Sequence, residues 1–183
     1  LETLMKKVAI VGNGPARNLY PGTFDGDVCL NNVPQLNVEY NFTSIVDRRC
    51  FEYIHKEKLH FPKPILTTNE LFELSKKWKF TTEVQSVYEL KLMNSATTAA
   101  YHFTKSYDEI WLYGCNALWS TEVSSHQDEI IFRHKRRDDL YQQWRTKWEQ
   151  VWVTGKKFVI VCPEGTETIN YGDNVKWNSP STL

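Results

Sequence analysis

Short apolar runs rich in β-branched residues alternate with stretches of helical periodicity, and this alternation limits the possible folds more than any other feature. A continuous apolar run of about five residues is typical of a strand buried on both faces of a parallel sheet. Strands that alternate with helices predict an α/β fold. We therefore expect a single Rossmann-like domain over residues 1–183, with a mainly parallel sheet flanked by helices and a lid loop before the last long helix. Strands are predicted at residues 7–11, 27–31, 43–47, 63–67, 109–113 and 157–161, with a weaker candidate at 88–92, and helices at 49–58, 69–78, 94–107 and 137–152.

Length, charge and apolar content exclude several classes of protein. A chain of 183 residues suffices for one domain with a sizeable core. Its 22 Lys and Arg balance its 22 Asp and Glu, so a nucleic-acid partner is not expected. No apolar run approaches the ~20 residues that span a bilayer, and the first residues carry no signal-peptide pattern, so we expect a cytoplasmic protein without a transmembrane segment. The four cysteines lack a C-x-x-C pair and no cluster has metal-ligand spacing, so we expect reduced cysteines and no metal.

The first predicted strand runs into a glycine-rich corner, VGNGPA, at residues 11–16. Gly12 and Gly14 allow a tight turn and let the backbone approach a ligand closely. The spacing is neither G-x-G-x-x-G nor G-x-x-x-x-G-K-[ST], so it predicts neither the dinucleotide fingerprint nor a P-loop. The Asn13 side chain offers an amide donor and a carbonyl acceptor, which suit a base, a ribose or a phosphate. A plain turn residue is the alternative for Asn13.

Polar residues also end the next two predicted strands and open a helix. Asn31 and Asn32 end the second strand, where two amides suit a ribose or a pyrimidine edge, or simply form a turn. Asp47 closes the third predicted strand, as a ribose or acceptor ligand or as a helix N-cap. Asn94 and Ser95 are candidate N-caps, and the Ser95 hydroxyl with the free N–H groups of its helix can face an anion. The alternative is that the small residues of this helix serve only to pack it closely on the sheet. The carboxyl edge of an α/β sheet is where ligands bind, so we expect these residues to meet in one crevice.

The stretch from residue 114 to 136 has neither a clear helical nor a clear strand pattern. Long loops in compact domains are usually functional or disordered, so we expect either a lid at about 115–135 or a surface excursion. His134 lies among cations just before the last helix. Neighbouring positive charge lowers the pKa of an imidazole and favours the neutral form, which acts as a general base. A solvated basic helix start is the alternative for His134, and His126 is a second candidate in the lid.

Three tryptophans recur every four residues in the last predicted helix. Trp144, Trp148 and Trp152 therefore share one helix face with Leu140. Such a stripe is more often core than a ring-stacking platform, so we interpret it as core.

Five segments, in this order, resemble glycosyltransferase family forty-two, the bacterial sialyltransferases: VGNGPA, DVCLNN, NSATTAAYHFTKSYDEIWLYGCN, HKRRDDLYQQWRTKWEQ and FVIVCPEG. The resemblance covers roughly residues 6–165 and implies a Rossmann-like domain that transfers sialic acid from CMP-sialic acid without a metal. The glycine corner and the strand that ends at Gly114 also resemble related domains, including a hydroxymethylpterin pyrophosphokinase-like group.

The resemblance assigns site residues by position. Asn13 matches the family's nucleotide-binding asparagine in the first loop, and Asn32, or Asn31 with a one-residue shift, matches the asparagine that contacts the nucleotide after the second strand. Ser95 matches the family's serine that contacts the donor sugar, and Asp47 stands where the family has another asparagine near the donor. The stretch 116–133 matches the family's mobile acceptor lid, and His134 matches its catalytic base. The residues expected to bind the nucleotide or the rest of the donor are Gly12, Asn13, Gly14, Asn31, Asn32, Asp47 and Ser95.

Three functions follow from these patterns. The first is a sialyltransferase-like glycosyltransferase that moves a sugar from a nucleotide-sugar, such as a CMP-sugar, to a hydroxyl of a glycan or other acceptor, with no cofactor. The second is a non-catalytic nucleotide or nucleotide-sugar binding module. The absence of a counterpart to the family's lid tyrosines between residues 115 and 133 favours it, and the retained His134 disfavours it. The family's basic residue that recognises the sialic carboxylate before the serine also has no evident counterpart, and Lys91 is the nearest cation. The third is a pyrophosphokinase-like enzyme, which requires ATP and Mg²⁺ held by carboxylates.

Overall fold

The structure is a computed structural model that describes residues 4–128, 130–131 and 136–180. Within this part the strands are β1 Lys7–Val11, β2 Asp27–Asn31, β3 Phe42–Ser44, β4 Ile65–Thr68, β5 Val84–Tyr88, β6 Glu109–Tyr113, β7 Lys157–Val161 and β8 Val175–Asn178. The α-helices are α1 Arg48–Glu57, α2 Asn69–Lys77, α3 Ser95–Phe103 and α4 Leu140–Trp152. Two 3₁₀ helices lie at Pro15–Leu19 and Asn116–Leu118. None of the helices in the described residues is long and apolar enough to cross a membrane.

All eight strands of the described chain are parallel and form one sheet in the order β5-β4-β3-β2-β1-β6-β7-β8. The chain builds outward from β1 to β5 on one side and then returns to the other side with β6. The strand order therefore reverses between β1 and β6, and such a reversal marks the ligand-binding crevice of open α/β sheets. The predicted α/β, Rossmann-like fold with a parallel sheet is confirmed.

The central strands are buried on both faces, which explains why their sequences are continuously apolar. On β1, Val8 and Ile10 belong to the cluster that holds α3 and α4 against the sheet. Ala9 and Val11 belong to another cluster, which packs against loop residues that follow β1 and β2. Ile45 belongs to a third cluster, which joins α1 and α2 to the β3 and β4 side of the sheet.

Side-chain caps fix where three helices begin. Asp47, Thr68 and Asn94 each accept a hydrogen bond from a backbone N–H two or three residues further on, which satisfies a group that the helix itself leaves free. Asp47 is therefore the N-cap of α1 and not the end of a strand, so the predicted strand 43–47 is wrong at its carboxyl end. Asn94 caps α3, and Ser95 is the first residue of that helix.

One further prediction is wrong, and one strand was not predicted. The weaker strand candidate at 88–92 is wrong, because β5 ends at Tyr88 and the chain then turns, with Met93 at a φ of 64°. Leu92 is buried in the core below α3, so its apolar character reflects packing and not a strand. Strand β8 was not predicted, because it has four residues of which only Val175 is buried.

Candidate functional site

The loops that follow β1 and β6 touch at the reversal of strand order. The N–H of Gly12 donates to the oxygen of Tyr113 at 2.7 Å, and the N–H of Gly14 donates to the oxygen of Gly114 at 2.9 Å. A Cβ atom on Gly14 would lie 2.6 Å from that same oxygen, closer than real side chains approach. The two glycines therefore allow the ends of β1 and β6 to approach each other closely. Asn13 lies between Gly12 and Gly14 in the sequence.

A cavity of about 440 Å³ opens at this edge of the sheet, within the usual size of a small-molecule site. Its wall contains all seven residues to which sequence analysis assigns donor binding: Gly12, Asn13, Gly14, Asn31, Asn32, Asp47 and Ser95. It also contains residues that sequence analysis did not assign to the site, including Asn116, Arg136 and Trp144. His134, the predicted general base, lies outside the described residues.

Asn13 joins the first loop to the end of β2. Its side chain is buried, its Nδ2 donates to the backbone oxygen of Asn31 at 2.7 Å, and its Oδ1 accepts a longer bond of 3.4 Å from Arg17. The side-chain oxygen of Asn31 is buried and has no hydrogen-bond partner among the described residues, and Asn31 lines the cavity. A buried acceptor without a donor is costly, so a ligand that brings an N–H or O–H group to this oxygen would gain affinity.

Asn32 and Ser95 bind each other. The Ser95 hydroxyl donates to Oδ1 of Asn32 at 3.0 Å and accepts from the backbone N–H of Val46 at 3.0 Å. The Ser95 backbone oxygen accepts from the hydroxyl of Ser44, which in turn accepts from the hydroxyl of Tyr88. Burial raises the pKa of Tyr88 well above its ordinary value, so this phenol stays a neutral donor.

Positive charge exceeds negative charge on the cavity wall. The charged residues that line it are Arg48, Arg49, Lys91, Arg136, Asp47 and Glu122. Asp47 holds Arg49 in an ion pair at 3.1 Å, and this hydrogen-bonded pairing raises the pKa of Arg49. Asp128 holds Arg136 in a fork with distances of 2.7 and 2.8 Å. Lys91 has no ion-pair partner in the described part of the chain, so it is the cation most available to an anionic ligand.

Residues 122–128, which we call the outer wall, close one side of the cavity. Glu122, Val123, Ser124 and Ser125 line the cavity, and the backbone N–H of His126 donates to the oxygen of Asn13 at 2.8 Å. The imidazole of His126 is on an exposed residue, so His126 joins the site through its backbone. In its described part, the stretch predicted as a lid or a surface excursion packs against the cavity.

Helix α4 contributes to the cavity an indole, that of Trp144, for which the sequence predicts a place in the core. Trp148 and Trp152 are buried and stack with ring centres 4.9 Å apart, as predicted. Trp144 is only partly buried, belongs to none of the three core clusters and lines the cavity, so its assignment to the core is wrong. A helix that follows the carboxyl end of a strand starts at that edge of the sheet. Trp144 lies in the first turns of α4, and this position could have identified it as a residue of the cavity.

Two further groups bear on the chemistry of the cavity. Burial raises the pKa of the Cys115 thiol to about 12, so this cavity residue stays a neutral thiol near pH 7 and is a poor nucleophile.

The Asn116 side-chain oxygen accepts from the N–H of Ala16 at 3.0 Å and so holds the first loop against the loop after β6. Asn116 follows β6 much as Asn13 follows β1, so its position after a strand end was the signal that could have identified it. Among the described residues, no group of three or more His, Cys, Asp or Glu could hold a metal ion.

Comparison with known proteins gives no relative. No protein-family model, no curated protein and no solved structure matches this chain. The function of this chain is therefore inferred from the cavity and from the sequence patterns of its lining residues.

Proposed function

We propose that the protein is a glycosyltransferase that binds a nucleotide-activated sugar in this cavity and transfers the sugar to a hydroxyl acceptor without a metal. The observation that carries the proposal is that Asn13, Asn31 and Asn32 line one cavity at the strand-order reversal, and that cations outnumber carboxylates on its wall. Amides match the mixed donors and acceptors of a base and a ribose, and cations match phosphate.

The two sides of the cavity suit the two parts of such a donor. The glycine corner and the asparagines form a polar side for the nucleoside, with the buried oxygen of Asn31 as an acceptor for one of its N–H or O–H groups. Lys91 lies on the wall as a partner for the phosphate. Trp144 of α4 and Ala117 add apolar surface, on which the carbon–hydrogen face of a sugar ring can pack.

The proposed reaction uses one general base. His134 takes the proton of the acceptor hydroxyl, the oxygen attacks the anomeric carbon of the donor sugar, and the bond from that carbon to the phosphate oxygen breaks. The nucleotide leaves as an anion, which the cations of the wall stabilise. The role of His134 rests on the sequence, in which it stands two residues before the cavity residue Arg136.

A binding module without transfer chemistry is the second candidate. Carboxylates already hold Arg49 and Arg136, and no tyrosine occurs between residues 115 and 133 to support a leaving phosphate. A protein with these features can still bind a nucleotide, but it has fewer groups that could stabilise the nucleotide as a leaving group.

A thermal-shift screen over CMP, UMP, AMP, GMP and their nucleotide-sugars tests the binding step. A ligand present at 100 times its Kd stabilises a protein by about 2.7 kcal/mol, which is easily measured.

We expect Asn13→Ala to weaken nucleotide binding by roughly ten- to hundredfold, since it removes a buried amide of the site. Asn18→Ala, an exposed asparagine of the adjoining 3₁₀ helix, is the matched control and should bind as the parent does. The proposal fails if no nucleotide or nucleotide-sugar stabilises the parent.

Release of nucleotide from the bound donor separates the two candidates. A transferase releases CMP from a CMP-sugar in a saturable way, and His134→Ala should slow that release by about a hundredfold while it spares binding. A binding module saturates with the donor but releases no nucleotide. Binding of ATP that requires Mg²⁺ would instead favour a pyrophosphokinase-like enzyme.

A further inference from the structure

Gln127 is a fully buried polar side chain in a segment without regular secondary structure. It is the one polar residue among the largest fully buried side chains of the described chain. Its Oε1 accepts from the backbone N–H of Val33 at 3.2 Å, and its Nε2 donates to the backbone oxygen of Val33 and, at 3.5 Å, to that of Asn31. The side chain thus pairs with a residue 94 positions away as a neighbouring strand would.

These bonds attach the outer wall to the polar side of the cavity. The backbone oxygen of Asn31 accepts from both Gln127 and Asn13, so one carbonyl group is shared by the wall and the glycine corner. The next residue toward the amino end, His126, donates its N–H to the oxygen of Asn13. Gln127 itself is not among the residues that line the cavity. Gln127 can therefore affect a bound ligand only indirectly, because it holds Asn31 and the outer wall in place.

We propose that Gln127 is a positioning residue, which fixes the outer wall against Asn13 and Asn31 in the arrangement that binds the nucleotide. This inference rests on the proposed function for the identity of the ligand, but the geometry that it describes belongs to the chain alone. The carboxamide is required because Val33 presents one donor and one acceptor, and only a group with both can satisfy them.

Gln127→Glu tests this requirement, because its effect depends on pH. At pH 7.5 a carboxylate keeps an acceptor for the N–H of Val33 but places a second oxygen against the carbonyl oxygens of Val33 and Asn31. At pH 5 protonation of the carboxyl group, which burial favours, restores a donor at that position. We expect Q127E to bind CMP at least about tenfold more weakly than the parent at pH 7.5 and to recover most of that loss at pH 5.

Two matched variants separate this effect from charge and from packing. Gln150→Glu makes the same charge change on an exposed residue of α4 and should bind CMP as the parent does at both pH values. Gln127→Met keeps the side-chain length without the amide, so Q127M should bind CMP more weakly at both pH values without recovery at pH 5. Affinities are measured at a temperature at which circular dichroism shows each protein to be folded. If folded Q127E and Q127M bind CMP as tightly as the parent at pH 7.5, the positioning role is wrong.

Hydrogen exchange reads the same geometry without a ligand. Because the His126 N–H bonds to Asn13 in the parent, its exchange should quicken at least about tenfold in Q127E at pH 7.5, while amides of β1 and β6 keep their protection. If the parent binds no nucleotide, the proposed function fails, and faster exchange at His126 alone still supports the role of Gln127 in holding the wall. Unchanged exchange at His126 in Q127E would overturn that role whatever the chain binds.

Discussion

The hydroxyl of Ser95 donates a hydrogen bond to the side-chain oxygen of Asn32, 3.0 Å away, across the carboxyl edge of the sheet. Both side chains are buried, and Asn32 is held at a φ of 61°, in the left-handed region that asparagine tolerates better than most residues. The same hydroxyl accepts from the N–H of Val46. One serine therefore joins the end of β2, the segment after β3 and the start of α3, and the cavity wall depends on that junction.

Ser95→Ala should reduce the free energy of unfolding by about 1–3 kcal/mol, because it leaves the buried N–H of Val46 without its acceptor. Urea unfolding of the variant and the parent measures the difference. Ser124→Ala, which removes an exposed hydroxyl from the outer wall, is the control and should change stability by less than about 0.5 kcal/mol. A Ser95→Ala protein with parent stability but lost nucleotide affinity would show that the hydroxyl acts on the ligand instead.

Gly14→Ala should destabilise the protein through lack of space and not through backbone strain. Gly14 has a φ of −66°, which any residue adopts, but a Cβ atom there would lie 2.6 Å from the oxygen of Gly114. Overpacking against backbone costs typically about 1–3 kcal/mol. The displaced loop should also weaken CMP binding, since Asn13 precedes Gly14 directly.

Gly22→Ala is the matched control for that prediction. Gly22 has a φ of +91°, and a Cβ atom added there would meet no atom within 4 Å, so alanine meets backbone strain of about 1–2 kcal/mol but no clash. Gly22→Ala should therefore lower the melting temperature while CMP affinity stays at the parent value. Equal losses of CMP affinity in both variants would contradict a specific role for the corner.

The sequence predicts the central strands of the sheet well because they are buried on both faces, and continuous apolar runs leave little choice of element. The edge strands β5 and β8 are less buried, and their positions were not predicted. The sequence also predicts which residues stand at strand ends, and the parallel arrangement then brings Asn13, Asn31 and Asn32 to one edge. The sequence pattern does not predict which hydrogen-bond partner each of these side chains has. Whether the Ser95 hydroxyl turns to a ligand or to Asn32 depends on two loops 63 residues apart. Gln127 was missed for the same reason, since its partners are backbone groups of a distant turn.

The partly buried imidazole of His102 should make stability depend on pH. Burial, and secondly the charge of Lys105, lower the pKa of His102 below its ordinary value of 6.5. The unfolded chain therefore binds more protons than the folded protein between the lowered pKa and about 6.5, so the free energy of unfolding falls as the pH drops through that range. His102→Gln should flatten this part of the curve in urea unfolding at a series of pH values. His60→Gln, at an exposed histidine, serves as the control, and an equally steep curve in His102→Gln would contradict the assignment.

Trp144 and Trp148, one helical turn apart on α4, should respond differently to substitution. Trp148 is 2% exposed and stacks on Trp152, so Trp148→Ala should cost about 3–5 kcal/mol of stability. Trp144 is only partly buried and belongs to none of the core clusters, so Trp144→Ala should cost much less, while it removes an indole from the cavity wall. Urea unfolding of both variants tests this contrast. If Trp144→Ala destabilises the protein as much as Trp148→Ala does, Trp144 is a core residue, as the four-residue spacing suggests.

The same variant tests which part of the donor meets the indole. We expect Trp144→Ala to leave CMP affinity within about twofold of the parent and to weaken binding of a CMP-sugar by roughly three- to tenfold, the scale of one aromatic contact. Trp144→Phe keeps an aromatic ring and should retain most of the CMP-sugar affinity. Isothermal titration with CMP and with CMP-sialic acid gives both affinities for each variant. Equal losses for the two ligands would place the indole against the nucleoside, because CMP lacks the sugar that the proposed arrangement seats on α4.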